Sequence, residues 1–595
     1  MTRCILAVLL LPVVLFAQTP DRWRTEYETS GYLRTGRYAE TVTYCQRLAH
    51  ASPWVRYESF GTSPQGRDLP LVILSRDGAF TPEAARKSGK AIVMIQSGIH
   101  AGEIDGKDAS LILMREIAIT KERAALLDHA VVLFIPIFNV DGHERFGPSN
   151  RINQNGPEEM GWRVTAQNLN LNRDYMKADA PEMQAWLKLF NAWMPDFFVD
   201  CHVTDGIDFQ YDVTFEMEPY PNADRTLAAW YERTFIPRMI ADVQNAGHLI
   251  APYVVAREDN DLSKGLVCST SGPRLSTGYC AKQNCPALLI ETHMLKPYRQ
   301  RVSATHDILV STLSFVNENT ASLHRVIAEA DARTKTMADA SDRPFLPLRY
   351  ELTPAFHLVP FKGVVARFEP SEISGTVRRI YTSEPQDTVI PYFDVFRVTD
   401  SVRLPAAYAI PKEWNAVIER LHWHGIRTER LTRDTDVAVS IYRLNNPQWQ
   451  QRPFEGHHAV SFTPELLHER SRLAAGTVIV PADQRRAALV AGLLEPSAPD
   501  ALVGWGFFDA IFEQKEYGES YVLEKLAREM IAKDPELKKA FDAKVASDSV
   551  FAKNPYARLN FFYQRSPYRD ASLGMYPVVR IEDRAAMRAL PVTDR

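Results

Sequence analysis

Cysteine is scarce in this chain of 595 residues: there are six, and no two stand in a CxxC pair. That excludes a disulfide-stapled scaffold and a cysteine zinc knuckle. A surplus of one charge is also missing, since 69 Lys and Arg face 73 Asp and Glu for a formal charge of −4; an electrostatic nucleic-acid binder needs a basic surplus. Past the first twenty residues no run approaches the ~18 apolar residues of a membrane helix, and there is no internal repeat or low-complexity tract. What is present is a composition 45% hydrophobic and 24% charged. Such a chain buries a sizeable core, and its length predicts several domains or a few large ones.

At the N-terminus Arg3 precedes an apolar run from Ile5 to Phe16, closed by Ala17, which reads as a secretory signal peptide over residues 1–17. The mature protein is therefore expected to be exported, periplasmic or extracellular, with no membrane span once the signal is removed. Cys45, Cys201, Cys268, Cys280 and Cys285 remain, and an oxidising compartment permits a bridge among the last three.

Residues 39–49 place apolar side chains at helical spacing, and the turn GTSPQGR then enters a strand. Four later runs read as buried strands, rich in β-branched and aromatic residues: AIVMIQ (91–96), AVVLFIPIF (130–138), DFFVD (196–200) and ALLIE (287–291). Helical periods over 105–118, 181–193 and 223–246 alternate with them. This predicts an α/β domain over 30–338, built on a mixed, mostly parallel sheet with helices on both faces. After SDRPFLP (341–347) the texture changes to short, Pro-interspersed strand-like runs and then helices, which predicts a C-terminal α/β accessory domain over 345–595.

Three of these strands run into residues able to hold a metal or move a proton: His100 and Glu103 after the first, His202 after the third, Glu291 at the end of the fourth. Ligands bind beyond the carboxyl ends of strands in open α/β sheets, so these side chains can converge. Two His and one carboxylate form the protein half of a catalytic zinc site, and a further carboxylate, Glu291, would carry the proton.

The motifs around them resemble the zinc carboxypeptidases of the M14 type, with their carboxypeptidase A-like fold, over about residues 30–330. In order these are GTSPQGR, GIHAGE, FNVDG (138–142, with Val140 where the family has proline), NLNRDY (170–175, with Asn170 and Asp174 as exchanges), DCHVT and LLIETH. The resemblance implies one Zn2+ per chain held by His100, Glu103 and His202, with Glu291 as general base and then general acid. It implies that Asn172 and Arg173 bind the terminal carboxylate of a peptide substrate with a free C-terminus. The planar Arg fork suits that task better than Lys. The arginine that polarises the scissile carbonyl should lie between the FNVDG turn and the NLNRDY motif, where Arg145, Arg151 and Arg163 compete; Arg151 is the choice. The tyrosine that covers the substrate is expected at Tyr279. Two rivals are an amidohydrolase of the aspartoacylase or desuccinylase kind on the same scaffold and a catalytically silent binding module, but every ligand and the Glu are retained.

Other conspicuous residues have plainer readings. His422 and His424 flank Trp423 without a carboxylate at ligand spacing, His457 and His458 lie in a Gly-containing loop, and Cys201 lacks a thiol-protease context. His293, two residues past Glu291, would share its face if the strand continued, as a support to the site.

Overall fold

The computed structural model describes residues 21–258, 261–338 and 344–594; the expected signal segment 1–17 lies outside them. Two compact units divide the chain.

The first unit carries an eight-stranded sheet: β1 (Val55–Thr62), β2 (Asp68–Leu74), β3 (Ala91–Ser97), β4 (Ala130–Ile135), β5 (Phe197–Thr204), β6 (Val213–Glu216), β7 (Ile250–Pro252) and β8 (Ala287–His293), in the order β1-β2-β4-β3-β5-β8-β6-β7. The central pairs β4·β3, β3·β5 and β5·β8 are parallel. β1 on β2, β2 on β4 and β6 on β8 are antiparallel. The central strands are buried along their whole length, which is why they read as continuous apolar runs rather than alternating ones. Phe197, Val199 and Cys201 of β5 face a core shared with the Asp105–Ala118 and Tyr298–Thr336 helices. Phe198, on the other face, packs edge-on against Trp186 of the Pro181–Trp193 helix. Helices thus cover both faces, as the sequence predicts.

The division between units differs from the expected break between 338 and 345: Arg349–Ser401 and Trp423–Gly425 belong with the first unit. A long hairpin, His357–Pro370 paired with Val377–Phe393, explains this. Its second strand continues in parallel onto Leu266–Val267, and Phe361 and Ile390 share a buried cluster with Phe209, Tyr211 and Leu266. The second unit comprises the described residues of Lys335–Leu348, Val402–His422 and Ile426–Arg595. It holds a seven-stranded antiparallel sheet around Ala407, Val439, Ile479 and Ile581, followed by the helices Ser520–Lys533, Pro535–Ser547 and Pro555–Tyr563.

All five cysteines after residue 20 are free thiols, so the bridge allowed among Cys268, Cys280 and Cys285 is not made. Cys201 is a packing residue: a Cβ on Gly106 would lie 2.3 Å from the Cys201 Cβ, so this cysteine fills the space where the Asp105–Ala118 helix crosses β5.

That helix is tied to the Tyr298–Thr336 helix by His306, whose Nε2 lies 2.9 Å from Glu116 Oε2 and whose Nδ1 lies 3.0 Å from Asp307 Oδ1. Burial alone would lower the His306 pKa, but Asp307 and Glu116 push it up to about 9. A raised pKa in the folded state means that the imidazolium stabilises fully below the unfolded value of about 6.5 and loses that contribution as pH rises through about 9. Metal-free protein should therefore lose on the order of 1 to 3 kcal/mol of stability between pH 6.5 and 9.5 from this group. His306→Gln should flatten that part of the melting-temperature profile. An unchanged slope in the variant would show that other groups set it.

Candidate active site

β3 ends at Ser97, level with Cys201 of β5, and Cys201 is level with Ile290 of β8. His202 therefore stands beside Glu291 on neighbouring strands, with both side chains on one face. After β3 the chain turns at Gly98, whose φ of +67° an L side chain rarely adopts. A backbone bond from Glu103 N to His100 O, 2.9 Å, closes the next turn. It brings His100 Nδ1 to 3.0 Å from Glu103 Oε1, while His202 Nδ1 is 3.0 Å from Glu103 Oε2. One donor atom from each of His100, Glu103 and His202 lies within 4.8 Å of the others, and all three residues are buried.

Two imidazoles and a carboxylate are the protein donors of a catalytic zinc site. Protonation fits at His100 and Glu103, whereas at His202 burial is outweighed by Asp200 and Glu103, which hold its pKa well above the usual value. Asn170 Oδ1 accepts from Asn172 N at 3.0 Å and lies 3.2 Å from His100 Nε2. The shared atom must be the amide oxygen, so Nε2 carries the proton and Nδ1 offers its lone pair. Burial lowers the His100 pKa to about 4, which keeps that imidazole neutral. Burial would raise Glu103, but His100 and Arg151 outweigh it and hold its carboxyl well below the usual range.

Glu291 is buried, and its Oε2 has no hydrogen-bond partner. Burial, together with the neighbouring charges of Glu103, Glu216 and Asp200, pushes its pKa up to about 8 against the opposing pull of His202. A carboxyl poised near neutrality is suited to accepting and returning a proton.

Among the three competing arginines, the geometry discriminates. Arg145 lies over the Trp162 ring, 4.9 Å from its centroid, whereas Arg151 and Arg163 reach Glu103 Oε1 at 2.8 and 3.3 Å. Gly102 admits Arg151, since a Cβ there would lie 2.7 Å from the arginine Cγ. Asn172 is buried with Oδ1 unpartnered, next to Arg173, whose NH1 donates to Asn172 O at 2.6 Å.

Tyr279 does not cover the site. It is fully buried, packed on Tyr175, Trp186 and Phe190, with its hydroxyl 3.0 Å from His424 Nδ1 and accepting from Gln283 Nε2 at 2.8 Å. The helix Ser276–Ala281 turns its ring into the core, which sequence order cannot reveal. Burial, and after it the Glu291 charge, raise the pKa of the Tyr253 phenol. Its hydroxyl bonds Thr204 Oγ1, at the end of β5, at 3.1 Å, and no motif marks it. His293 is held by Asp208, 3.0 Å away, and accepts from Leu295 N at 3.2 Å; it supports a turn. His424 is a buried structural residue, with Nε2 3.0 Å from Met176 O. Two family-like motifs meet at Asp141, which accepts from Ser63 Oγ at 2.8 Å and Gln65 N at 3.1 Å and pairs with Arg67 at 2.6 Å. GTSPQGR and FNVDG thus brace each other.

Comparison with known proteins agrees with this geometry. Residues 41–229 match the zinc carboxypeptidase family model. Carboxypeptidase 2 of Trichophyton rubrum is 23% identical over 479 residues, covering 78% of this chain and 82% of the relative. A probable carboxypeptidase 2 of Arthroderma benhamiae is 23% identical over 475 residues, covering 77% and 83%. A solved metallo-carboxypeptidase from Pseudomonas aeruginosa superposes with a TM-score of 0.37 at 16% identity, over 48% of this chain and 69% of that one. The ordered motifs and the convergent His100, Glu103 and His202 lie within or beside the family match, so a zinc carboxypeptidase domain of the M14 type is built around residues 41–229.

Proposed function

We propose that the protein is an exported carboxypeptidase that removes the C-terminal residue of peptides. The observation that carries this reading is the turn Asn170–Leu171–Asn172–Arg173. Its first residue touches His100, while the unpartnered Asn172 oxygen and the Arg173 guanidinium lie within three residues of it. A free carboxylate held by Arg173 would set the preceding peptide bond beside His100, Glu103 and His202. Zinc, when bound there, polarises the scissile carbonyl and makes a water molecule acidic. Glu291 takes the water's proton and returns it to the departing amine. Arg151, with Arg163 beside it, offers positive charge to the carbonyl oxygen. Export rests on the apolar segment Ile5–Phe16 that follows Arg3. No described helix is long and apolar enough to cross a membrane.

Mass spectrometry of products from a mixed peptide library tests the reading. Stepwise loss of single C-terminal residues is expected; internal fragments, or hydrolysis confined to N-acyl amino acids, would replace it with an endopeptidase or an amidohydrolase. Metal analysis should return about one zinc per chain after purification without chelator. His202→Ala should retain less than about half an equivalent, because two ligands rarely hold a catalytic zinc.

A further inference from the structure

Behind the donor set lies a buried network that the proposed chemistry does not use, although Asp200 opens the DCHVT motif and Tyr175 closes NLNRDY. Asp200 precedes His202 by two residues on β5, so both point to the same face. Its Oδ2 lies 3.0 Å from His202 Nε2, on the side of the ring away from the nitrogen that meets Glu103. Its Oδ1 accepts from Gln96 Nε2 at 3.0 Å, and the same Gln96 nitrogen donates to the Tyr175 hydroxyl at 3.1 Å. Gln96, Tyr175 and Asp200 are fully buried, so none can touch substrate. Tyr175 in turn lies 4.9 Å, ring to ring, from Trp186 and closes the NLNRDY motif that holds Asn172 and Arg173.

A carboxylate in such a place is costly unless something compensates it. Among the described residues the ionic partner of Asp200 is His202, with no Lys or Arg in that role. Neither Asp200 Oδ2 nor His202 Nε2 has another hydrogen-bond partner, and the two lie 3.0 Å apart; a proton on Nε2 satisfies both atoms and leaves the lone pair on Nδ1, the nitrogen facing Glu103. From this we propose that Asp200, anchored through Gln96 to Tyr175, is the positioning residue of the metal centre: it fixes the tautomer and ring angle of His202 and strengthens it as a donor. The arrangement complements the one at His100, where an amide oxygen, Asn170 Oδ1, does the same without a charge. The two imidazoles are therefore faced by unlike groups, an amide oxygen at His100 and a fully buried carboxyl at His202.

The inference rests on His100, Glu103 and His202 holding the metal, and the test separates the two. Zinc dissociation constants are measured by competition with a chromophoric chelator for wild type, Asp200→Asn and Asp200→Leu, alongside the melting temperature of each metal-free protein. Loss of a group that orients a metal ligand weakens affinity by about 10- to 100-fold, and this is expected for Asp200→Leu. Asp200→Asn, whose amide oxygen can still accept from Nε2, should lose less. A purely structural Asp200 would lower the metal-free melting temperature and leave affinity within about threefold of wild type, which would overturn the proposal. Should the leucine variant fail to fold, a crystal structure of zinc-loaded wild type decides: His202 is expected to ligate through Nδ1 with Nε2 against Asp200, and ligation through Nε2 overturns it. Wild type that binds no zinc would instead remove the metal reading on which the proposal stands.

Discussion

Replacing Glu291 by Gln should leave the zinc and the fold in place and lower kcat by at least about 10²- to 10⁴-fold, the contribution of positioned general acid–base catalysis. The substitution is nearly isosteric, and the buried Oε2 makes no hydrogen bond that the amide would break. What the amide cannot do is accept a proton. Burial and the charges of Glu103, Glu216 and Asp200 already hold this carboxyl up at about 8. A bound zinc ion would pull that value back down by adding positive charge beside it. The acidic limb of kcat/KM should therefore lie below pH 8 in the zinc-loaded enzyme and vanish in Glu291→Gln. Steady-state kinetics with metal content measured on the same samples checks both points. Activity within tenfold of wild type at full zinc occupancy would remove Glu291 from the proton-transfer role.

The second large effect concerns Arg173. A peptide ending in a free carboxylate gives the guanidinium and the adjacent Asn172 amide a charged, two-oxygen partner; a C-terminal amide withdraws the charge. Losing a buried charge-assisted pair costs on the order of 2 to 5 kcal/mol, or roughly 30-fold to several thousand-fold in kcat/KM. Wild type should prefer the acid of one peptide over its amide by that factor. Arg173→Ala should lose most of the preference by losing the acid reaction, because removing the guanidinium cannot improve the amide. Arg173→Lys should recover only part, since a point charge does not reproduce the fork. Equal rates on acid and amide with wild type would instead place the substrate's terminus elsewhere.

Residues whose role follows from strand geometry were legible before any coordinates. His202 and Glu291 lie at the carboxyl ends of apolar runs, and parallel register places them side by side. The His100–Glu103 spacing is closed by a single backbone hydrogen bond. Tyr279 was misplaced because its assignment came from order along the chain, while the side chain is turned into the core by a short helix. The arginine question narrowed from three to two only through contacts, since Arg145, Arg151 and Arg163 sit in loops where no period constrains direction.

By itself, then, the sequence determined the central strands, the helices covering them and the metal donors, and it placed Glu291 beside them on the neighbouring strand. These depend on local signals: buried apolar runs, helical periods, and polar residues placed where a strand ends. Only the tertiary structure decided that Arg349–Ser401 joins the first unit, because pairing of the hairpin strand with Leu266–Val267 is a contact across more than a hundred residues. Only it turned Tyr279 into the core, and only it placed Asp200 behind His202 as a buried carboxyl whose ionic partner among the described residues is that histidine. Such facts depend on which atoms meet once the sheet has closed. Composition and spacing record what each segment prefers, whereas a buried polar group is decided by the partner that long-range packing brings to it.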